Sequence, residues 1–379
     1  MTNHGETSRD IWFWQLILSP HMSGLAVSLS NMGHKVTCVV AMDMSEDRRA
    51  QGWIAPKVPG VAIHHVQTVS DIYDLIHAAD INSIHFCEGV RANAHISDVQ
   101  RILARNGFRQ FAVMETVDDT GWLGVVKRLV YRSLFISRRR SLSGVLCIGQ
   151  RTTEWVIKRG VPKKRAFPFA YFLTMPEASN VAQRRVCESR RFHFVYIGQL
   201  IERKRVSMLL ETLSQLENFD FDLTIVGAGP QEAALKELAA KNLRVEVHWV
   251  GQLPMGDIRA VLSEMDCLVL PSFHDGWGAV CSEALMCGTP VICSDSCGAA
   301  GAVLASGVGG VFPRDNQPAL RDLLVQSLRK GRLKKLDRES ISTWGRVLSA
   351  EAGAYYLLEI LETHVELLPP WNREKLNFR

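Results

Sequence analysis

The sequence of 379 residues lacks any run of about 18 apolar residues, the length that a helix spanning a bilayer requires. Its opening residues show no basic region followed by an apolar core, so we expect no signal peptide. Internal repeats and low-complexity segments are missing as well. Together these absences indicate a globular protein, which we expect in the cytoplasm.

Structural use of cysteine or of a metal is also not indicated. The nine cysteines show no paired spacing and lie mostly within apolar runs, as is typical of reduced thiols. This distribution argues against a disulfide framework and against a zinc site. No acidic cluster or Asp-x-Asp motif suited to a bridging Mg²⁺ is present, so we expect neither a metal nor a cofactor.

Length and charge describe a two-domain protein with one unusual segment. A chain of 379 residues exceeds one ordinary domain and suits two, and its 47% apolar and 22% charged residues are typical of globular proteins. In residues 120–176, however, twelve Lys and Arg stand against one acid, Glu154. The segment therefore has a net charge of +11. Because the whole chain has a net charge of +5, the remaining residues together carry −6.

The basic segment begins with a predicted helix over residues 122–140, which holds six basic residues and no acid. Four uncharged residues fall on one face, Val126, Val130, Ser133 and Leu134, and three arginines lie opposite, Arg128, Arg132 and Arg139. Such a helix can lie on an anionic membrane surface, which would place the protein on the inner face of a membrane. It can equally be a packed helix with a solvated basic face. No nucleic-acid-binding module accompanies the charge, so we expect no nucleic-acid partner.

Residues 271–290, PSFHDGWGAVCSEALMCGTP, contain the most informative pattern in the chain. An apolar run, Cys267–Leu270, predicts a buried strand, and a Gly-rich loop follows it over residues 272–278. Residues 279–287 then predict a helix that ends at Gly288 before the next apolar run. This strand–loop–helix–strand order is the repeating unit of a parallel α/β sheet.

The two carboxylates of this stretch suggest its chemistry. Asp275 lies in the loop next to Gly276 and Gly278, where the backbone can approach a ligand closely. Unpaired N–H groups at a helix N-terminus favour a phosphate there. Glu283 lies eight positions later, within the helix, from which a carboxylate can reach sugar hydroxyls. This arrangement suits a nucleotide-sugar.

At this point the sequence resembles glycosyltransferase family 4, the retaining transferases of GT-B architecture (glycosyl transferases group 1). Their signature has the form P-S-x-x-E-G-x-G-x-x-x-x-E-A-x-x-x-G-x-P-V. The positions that match it are Pro271, Ser272, Gly276, Gly278, Glu283, Ala284, Gly288, Pro290 and Val291. The departure is Asp275 in place of the first Glu, which keeps the charge but shortens the side chain by one methylene.

The resemblance implies an α/β protein with two Rossmann-like domains facing across a cleft. Residues 1–172 would bind the acceptor, residues 187–340 would bind the donor, and residues 341–379 would return to the first domain as a C-terminal helix. The donor would be a nucleotide-diphosphate sugar, and the acceptor a sugar or a lipid-linked molecule in polysaccharide, lipopolysaccharide or glycolipid synthesis. Retention in this family is thought to need no enzyme nucleophile.

The same resemblance assigns donor-binding roles outside the loop. The family pattern G-R-L-x-x-x-K, whose Arg and Lys grip the diphosphate, falls on residues 198–204, with Gln199 at the Arg position. Lys204 would grip the diphosphate and join Asp275 and Glu283 in catalysis, and Arg203 or Arg205 would supply part of the missing charge. The remaining donor-side residues implied are Gly198, Gly227, Gly251, Leu253 and Trp277.

Acceptor-side candidates lie after the predicted strands of the first domain. His21 follows the first strand, and Glu88 and Glu115 end two later apolar runs. Ligands of open α/β sheets bind beyond the carboxyl ends of the strands, which makes these side chains candidates for an acceptor pocket.

Two other functions fit the same architecture. One is a sugar-nucleotide epimerase or a phosphorylase. The other is a catalytically weak subunit that only binds nucleotide-sugar, suggested by Gln199, by Asp275 and by the absence of a family Glu from residues 294–301.

Overall fold

The computed structural model describes residues 8–50, 52–91, 95–175, 191–363 and 365–373. The chain divides into two compact units. The first contains Met1–Ser45, Ala55–Thr174 and Ala350–Pro370, and the second contains Glu46–Ile54, Met175–Ser349 and Trp371–Arg379. Within the described ranges, no helix combines the length and apolarity needed to cross a membrane.

The first unit is built on a parallel sheet of seven strands in the order β3-β2-β1-β4-β5-β6-β7. Most of these strands are buried on both faces, as parallel strands between helix layers are. The order reverses between β1 and β4. The strands are β1 (Asp10–Gln15), β2 (Lys35–Val40), β3 (Val61–His65), β4 (Ile84–Glu88), β5 (Arg109–Glu115), β6 (Leu142–Ile148) and β7 (Ala166–Phe169).

The second unit has a parallel sheet of six strands in the order β10-β9-β8-β11-β12-β13, which reverses between β8 and β11. Its central strands are mostly apolar and fully buried. The strands are β8 (Phe192–Ile197), β9 (Phe221–Val226), β10 (Val247–Gly251), β11 (Cys267–Leu270), β12 (Val291–Ser294) and β13 (Gly309–Phe312).

Helices connect the strands of both sheets, as parallel strands require. The first unit contains α1 (Pro20–Asn31), α3 (Val69–Ala78), α4 (Ile96–Arg105), α5 (Gly121–Ser137), α6 (Thr152–Ile157) and α14 (Ala350–Glu362). The second contains α2 (Glu46–Ala50), α7 (Val206–Leu213), α8 (Glu232–Asn242), α9 (Met255–Glu264), α10 (Ala279–Met286), α11 (Ala300–Ser306), α12 (Gln317–Lys330) and α13 (Lys335–Gly345).

The last helix, α14, completes the first unit although it follows the second unit in the sequence. It packs against α1, and the Ala350 amide donates to the Leu173 carbonyl at 2.8 Å. The Arg109 guanidinium donates to the Leu361 carbonyl at 2.8 Å. A side chain at Gly353 would lie 2.3 Å from the Phe172 ring, so the small residue permits this close packing.

The α/β fold with two Rossmann-like units is therefore confirmed, with differences in detail. Strand β7 is an addition that the sequence did not indicate, since it has only four residues and contains a proline. The returning segment is Ala350–Pro370 and not the whole of 341–379, since α13 packs on α10 of the second unit. Glu46–Ile54 belongs to the second unit, and the predicted domain start at residue 187 lies outside the described residues.

Candidate active site

The centre of the candidate site is an ion pair between Lys204 and Asp275 in the second unit. Lys204 ends a short turn after β8, and Asp275 lies in the loop after β11, the two strands between which the sheet order reverses. Lys204 Nζ donates to Asp275 Oδ2, and each side chain is 13% exposed. Open α/β sheets bind ligands at such a reversal, beyond the carboxyl ends of the strands.

Backbone hydrogen bonds fix Asp275 against the loop that follows β12. The Asp275 amide donates to the Ser296 carbonyl at 3.1 Å, and the Gly298 amide donates to the Asp275 carbonyl at 2.9 Å. Ser272 Oγ lies 3.4 Å from Asp275 Oδ2. The carboxylate therefore has a defined position, and it can hold the Lys204 ammonium in place. An ammonium has three N–H donors, so two remain for a ligand.

Two glycines allow the loop to pack this closely. Gly278 has φ +82°, and a Cβ there would lie 2.7 Å from Cys297 Sγ. A Cβ at Gly298 would lie 2.0 Å from the Gly276 carbonyl oxygen. Gly278 is also the N-cap of α10 and provides no side-chain cap. The first amides of α10 therefore face the loop with the positive end of the helix dipole, a place suited to a phosphate.

The Trp277 side chain supports the loop from below. It is 1% exposed, donates from Nε1 to Ser282 Oγ at 3.0 Å, and lies 5.6 Å from the Trp371 ring, centroid to centroid. Trp277 was predicted to bind the donor. Because its side chain is buried, it can contact a donor only through its backbone.

Glu283 lies one turn into α10 and is partly buried. Burial raises the pKa of its carboxyl to about 7, while the charge of Arg259 acts in the opposite direction. Within the described part of the chain, no group hydrogen-bonds this carboxylate. An acceptor without a partner beside a helix N-terminus can accept a hydrogen bond from a ligand hydroxyl, and that hydrogen bond would favour the ionised form.

The turns after β8, β9 and β10 lie side by side on the same edge of the sheet. The Gly198 amide donates to the Val226 carbonyl at 3.0 Å, and the Gly227 amide donates to the Gly251 carbonyl at 2.7 Å. A Cβ at Gly227 would lie 1.9 Å from the Gly198 carbonyl oxygen, so no other residue fits. The predicted residues Gly198, Gly227 and Gly251 are thus brought together in one row.

Arg203 and Gln199 lie near the position at which the family has an Arg, and their contacts differ. Arg203 already donates to the His274 carbonyl at 2.6 Å, which binds it to the Asp275 loop. Gln199 contributes its backbone carbonyl, which accepts from the Tyr196 hydroxyl at 2.8 Å. Arg203 therefore orders the loop, and Lys204 supplies the cation at its centre.

A second cationic cluster beside this loop joins Arg205, a candidate from the sequence, to Arg314, which the sequence did not indicate. The Phe273 ring lies between two guanidinium groups, with Arg205 at 4.6 Å and Arg314 at 4.0 Å from its centroid. Arg205 has φ +51°, which is uncommon for a residue with a side chain, and pairs with Asp315 at 2.8 Å. No local pattern predicts these contacts, since Arg314 is 41 residues from Phe273.

The turn at Gly251 also has a neighbour that the sequence did not indicate. A Cβ at Gly52 would lie 2.7 Å from the Leu253 carbonyl oxygen, so the Glu46–Ile54 segment approaches this turn closely. In that segment the Arg48 guanidinium lies 5.3 Å from the Trp53 ring centroid. Leu253, a predicted donor-side residue, is therefore adjacent to residues assigned by sequence to the first domain.

The acceptor-side candidates follow adjacent strands of the first unit. Glu88 ends β4, and its Oε2 accepts from the Leu16 amide at 2.8 Å, across the reversal between β1 and β4. His21 lies in the first turn of α1 and stacks on Tyr171 at 5.2 Å. Glu115 ends β5 and is exposed. All three thus lie at the carboxyl edge of this sheet.

Among the described residues, no group of three His, Cys, Asp or Glu side chains is placed to hold a metal ion. An Asp-x-Asp pair does occur at the start of β9, as Asp220 and Asp222. It lies at the opposite end of the strand from the glycine turns, and Arg191 pairs with both acids at 3.0 and 3.5 Å. This pair is therefore remote from the candidate site.

The amino-acid sequence is similar to those of known glycosyltransferases. Residues 182–341 match the family model described as glycosyl transferases group 1. The uncharacterized glycosyltransferase MJ1607 of Methanocaldococcus jannaschii is 23% identical over 322 residues, which cover 79% of this chain and 82% of that protein. The uncharacterized glycosyltransferase MJ1178 of the same organism is 22% identical over 158 residues, 41% of this chain and 44% of that protein.

The fold has counterparts among solved structures. The crystal structure of Anabaena Alr3699/HepE in complex with UDP-glucose aligns with a TM-score of 0.67 and 14% identity. The alignment covers 93% of this chain and 99% of that chain.

Proposed function

We propose that this chain, whose residues 182–341 belong to the glycosyl transferases group 1 family, moves a sugar from a nucleotide-diphosphate sugar to a hydroxyl acceptor with retention of configuration. The observation that carries the proposal is the Lys204–Asp275 pair at the reversal of the second sheet, beside the N-terminus of α10. A held cation and free helix amides form a site for a diphosphate.

The residues would divide the work as follows. Lys204 and the first amides of α10 bind the diphosphate and stabilise the negative charge that grows on it as the sugar leaves. Asp275 positions the Lys204 ammonium. Glu283 accepts a hydrogen bond from the donor ribose. The departing diphosphate helps to remove the acceptor proton, and no enzyme nucleophile takes part. We expect the reaction to need no metal.

The hydrogen-bonding groups of the two units and the ligand of a similar structure suggest which donors and acceptors to test first. The Anabaena protein binds UDP-glucose, so UDP-sugars are the first donors to test. Glu88, Glu115 and His21 offer hydrogen-bonding groups at the carboxyl edge of the first sheet, which suits the hydroxyls of a sugar or a lipid-linked acceptor. We therefore place the reaction in polysaccharide, lipopolysaccharide or glycolipid synthesis.

Donor binding gives the direct test. We expect one of UDP-glucose, GDP-glucose or ADP-glucose to raise the unfolding temperature at saturating concentration. Replacing Lys204→Met should weaken that donor about 10- to 150-fold, because a hydrogen bond to a charged group is lost. Lys330→Met, at an exposed site on α12, is the matched control and should bind as the unmodified protein does.

Two further results would contradict the proposal. One is a Lys204→Met variant whose donor affinity stays within about twofold of the control. The other is a turnover that EDTA abolishes and Mg²⁺ restores, which would place a metal in the reaction. Donor binding without slow donor hydrolysis, and without transfer to any sugar, would instead favour the alternative of a nucleotide-sugar-binding subunit. The uncharged Gln199 is the feature in favour of that alternative.

A further inference from the structure

The outer face of α5 in the first unit is apolar. Trp122 is 76% exposed, Leu129 63% and Ile136 55%, and Val125 and Val126 are about half exposed. At 100° per residue these five side chains fall within one stripe along the helix. We call them the α5 stripe. Scattered exposed apolar residues are ordinary, but five on one helix face form a continuous surface.

The orientation of α5 is fixed by contacts on its other side. Gly124 and Phe135 are buried, and the Tyr131 ring lies 5.1 Å from the Trp155 ring in an edge-on contact. The Phe135 side chain belongs to a buried cluster that includes Leu142, Val145 and Trp155. Rotation that would bury the stripe is therefore blocked.

This orientation combines features of both expectations for the basic helix. The helix packs through Tyr131 and Phe135 and keeps Arg132 exposed, but Val126 is exposed as well. Two basic residues instead point to the preceding loop, where Lys127 donates to the Asp118 carbonyl at 2.6 Å and Arg128 to the Asp119 carbonyl at 2.9 Å.

The C-terminal half of the stripe has a positively charged border, whereas Asp118 and Asp119 adjoin its N-terminal end. Arg132, Arg139 and Arg140 are exposed, and within the described ranges none of them has an acidic partner. A surface groove of about 340 Å³ adjoins the C-terminal end of α5. Three arginines line it, Arg101, Arg105 and Arg138, together with Ser and Gln side chains but no carboxylate.

We propose that the α5 stripe docks on the surface of an anionic phospholipid bilayer. A 17-residue helix with an apolar outer face and a basic border can lie in the plane of the headgroups. Trp122 suits the headgroup level, where aromatic rings concentrate, and the arginines suit lipid phosphates. The absence of acids from this border favours an anionic surface over a protein partner of mixed charge. The inference does not depend on the proposed transfer reaction, because docking needs no donor.

Co-sedimentation of the full chain with vesicles tests the proposal. We expect binding at low salt to vesicles of phosphatidylglycerol and phosphatidylcholine, weaker binding at high salt, and little binding to phosphatidylcholine alone. Each basic residue near an anionic surface raises the binding constant about fivefold. The triple change Arg132→Ser, Arg139→Ser and Arg140→Ser should therefore weaken binding about a hundredfold. Trp122→Ser with Leu129→Ser should weaken it at least about tenfold.

Matched controls carry the same changes elsewhere. Ile81→Ser removes an exposed apolar side chain from the same unit, and Arg329→Ser with Lys330→Ser and Lys334→Ser removes three exposed charges from the second unit. Both controls should sediment as the unmodified protein does, and circular dichroism should show all variants folded.

Three outcomes would overturn the docking proposal. The first is no binding to anionic vesicles at low salt. The second is equal, salt-independent binding to neutral and anionic vesicles, or equal losses in the stripe variants and their controls. The third is a dimer that sediments as one species without lipid and dissociates on Leu129→Ser while vesicles are not bound, which would make the stripe an interface between copies.

Discussion

The strand order reverses in the sheets of both units, but different polar groups lie at the two reversals. In the second unit an ion pair between side chains, Lys204 with Asp275, lies between β8 and β11. In the first unit the Glu88 carboxylate lies between β4 and β1 and is bound by a backbone amide, that of Leu16. One reversal thus presents a positioned cation, suited to a diphosphate. The other presents a carboxylate, suited to hydroxyl groups.

The largest effect should come from breaking the ion pair of the second unit. Asp275→Asn leaves the Lys204 ammonium without its ionic partner, so the charge is no longer held where the leaving diphosphate develops. Loss of one such stabilising contact lowers turnover about 100-fold or more. Because donor contacts at α10 remain, the donor KM should change much less than kcat. Steady-state kinetics of donor hydrolysis or transfer measure both.

The control for this change is Asp275→Glu, which keeps the charge and should lose less activity than Asp275→Asn. Thermal unfolding of both variants shows whether the loop is still folded. An equal loss of activity in the two variants would mean that the length of the side chain, and not its charge, positions Lys204.

A smaller effect, and one that depends on pH, should come from Glu283. Its pKa of about 7 lies above the ordinary value, so the folded state favours the protonated form. The stability that this provides is complete below about pH 4.5 and is lost as the pH rises through about 7. Donor affinity should do the opposite and rise through about pH 7, because the ionised carboxylate accepts the stronger hydrogen bond.

The variant Glu283→Gln should remove both dependences. Above about pH 7 it should unfold at a higher temperature than the unmodified protein and bind the donor about tenfold more weakly. Calorimetric titration at several pH values measures the affinity. A pH profile of donor binding that Glu283→Gln leaves unchanged would show that another group titrates.

The smallest effect should come from the first unit. In Glu88→Gln the amide oxygen still accepts from the Leu16 amide, but the charge is lost. We expect the acceptor KM to rise about fivefold, the difference between a charged and a neutral acceptor, with donor KM unchanged. Kinetics with either substrate varied measure the two constants. If donor KM rises as much as acceptor KM, the division of roles between the two reversals is wrong.

Much of the fold could be predicted from local pattern alone. Buried apolar runs such as Cys267–Leu270 define strands because parallel strands are covered on both faces. Strand β7 could not be predicted in this way, because it has four residues and contains Pro168, which lacks the amide donor of a ladder. The close approach of Gly52 to Leu253 joins residues about 200 positions apart, and no local signal reports it.

The site divides in the same manner. Resemblance to a family assigned Lys204 and Asp275 separately, yet their ion pair spans 71 residues and emerges only when β8 and β11 become neighbours. The outward orientation of α5 was undetermined for a related reason. Its amphipathic pattern fits a core or a membrane equally well, and the Phe135 and Tyr131 contacts with the rest of the unit determine which face is buried.

The position of α14 has a consequence for synthesis. The ribosome releases residues 175–349 before it releases α14, so the second unit has nearly all of its sequence while the first still waits for its last helix. Until then the surface of α1 and the Phe172 ring, which α14 covers, remain open to water or to chaperones. Contacts between segments this far apart in sequence also form slowly. The unit that is translated first therefore cannot complete its core until most of the second unit has been translated.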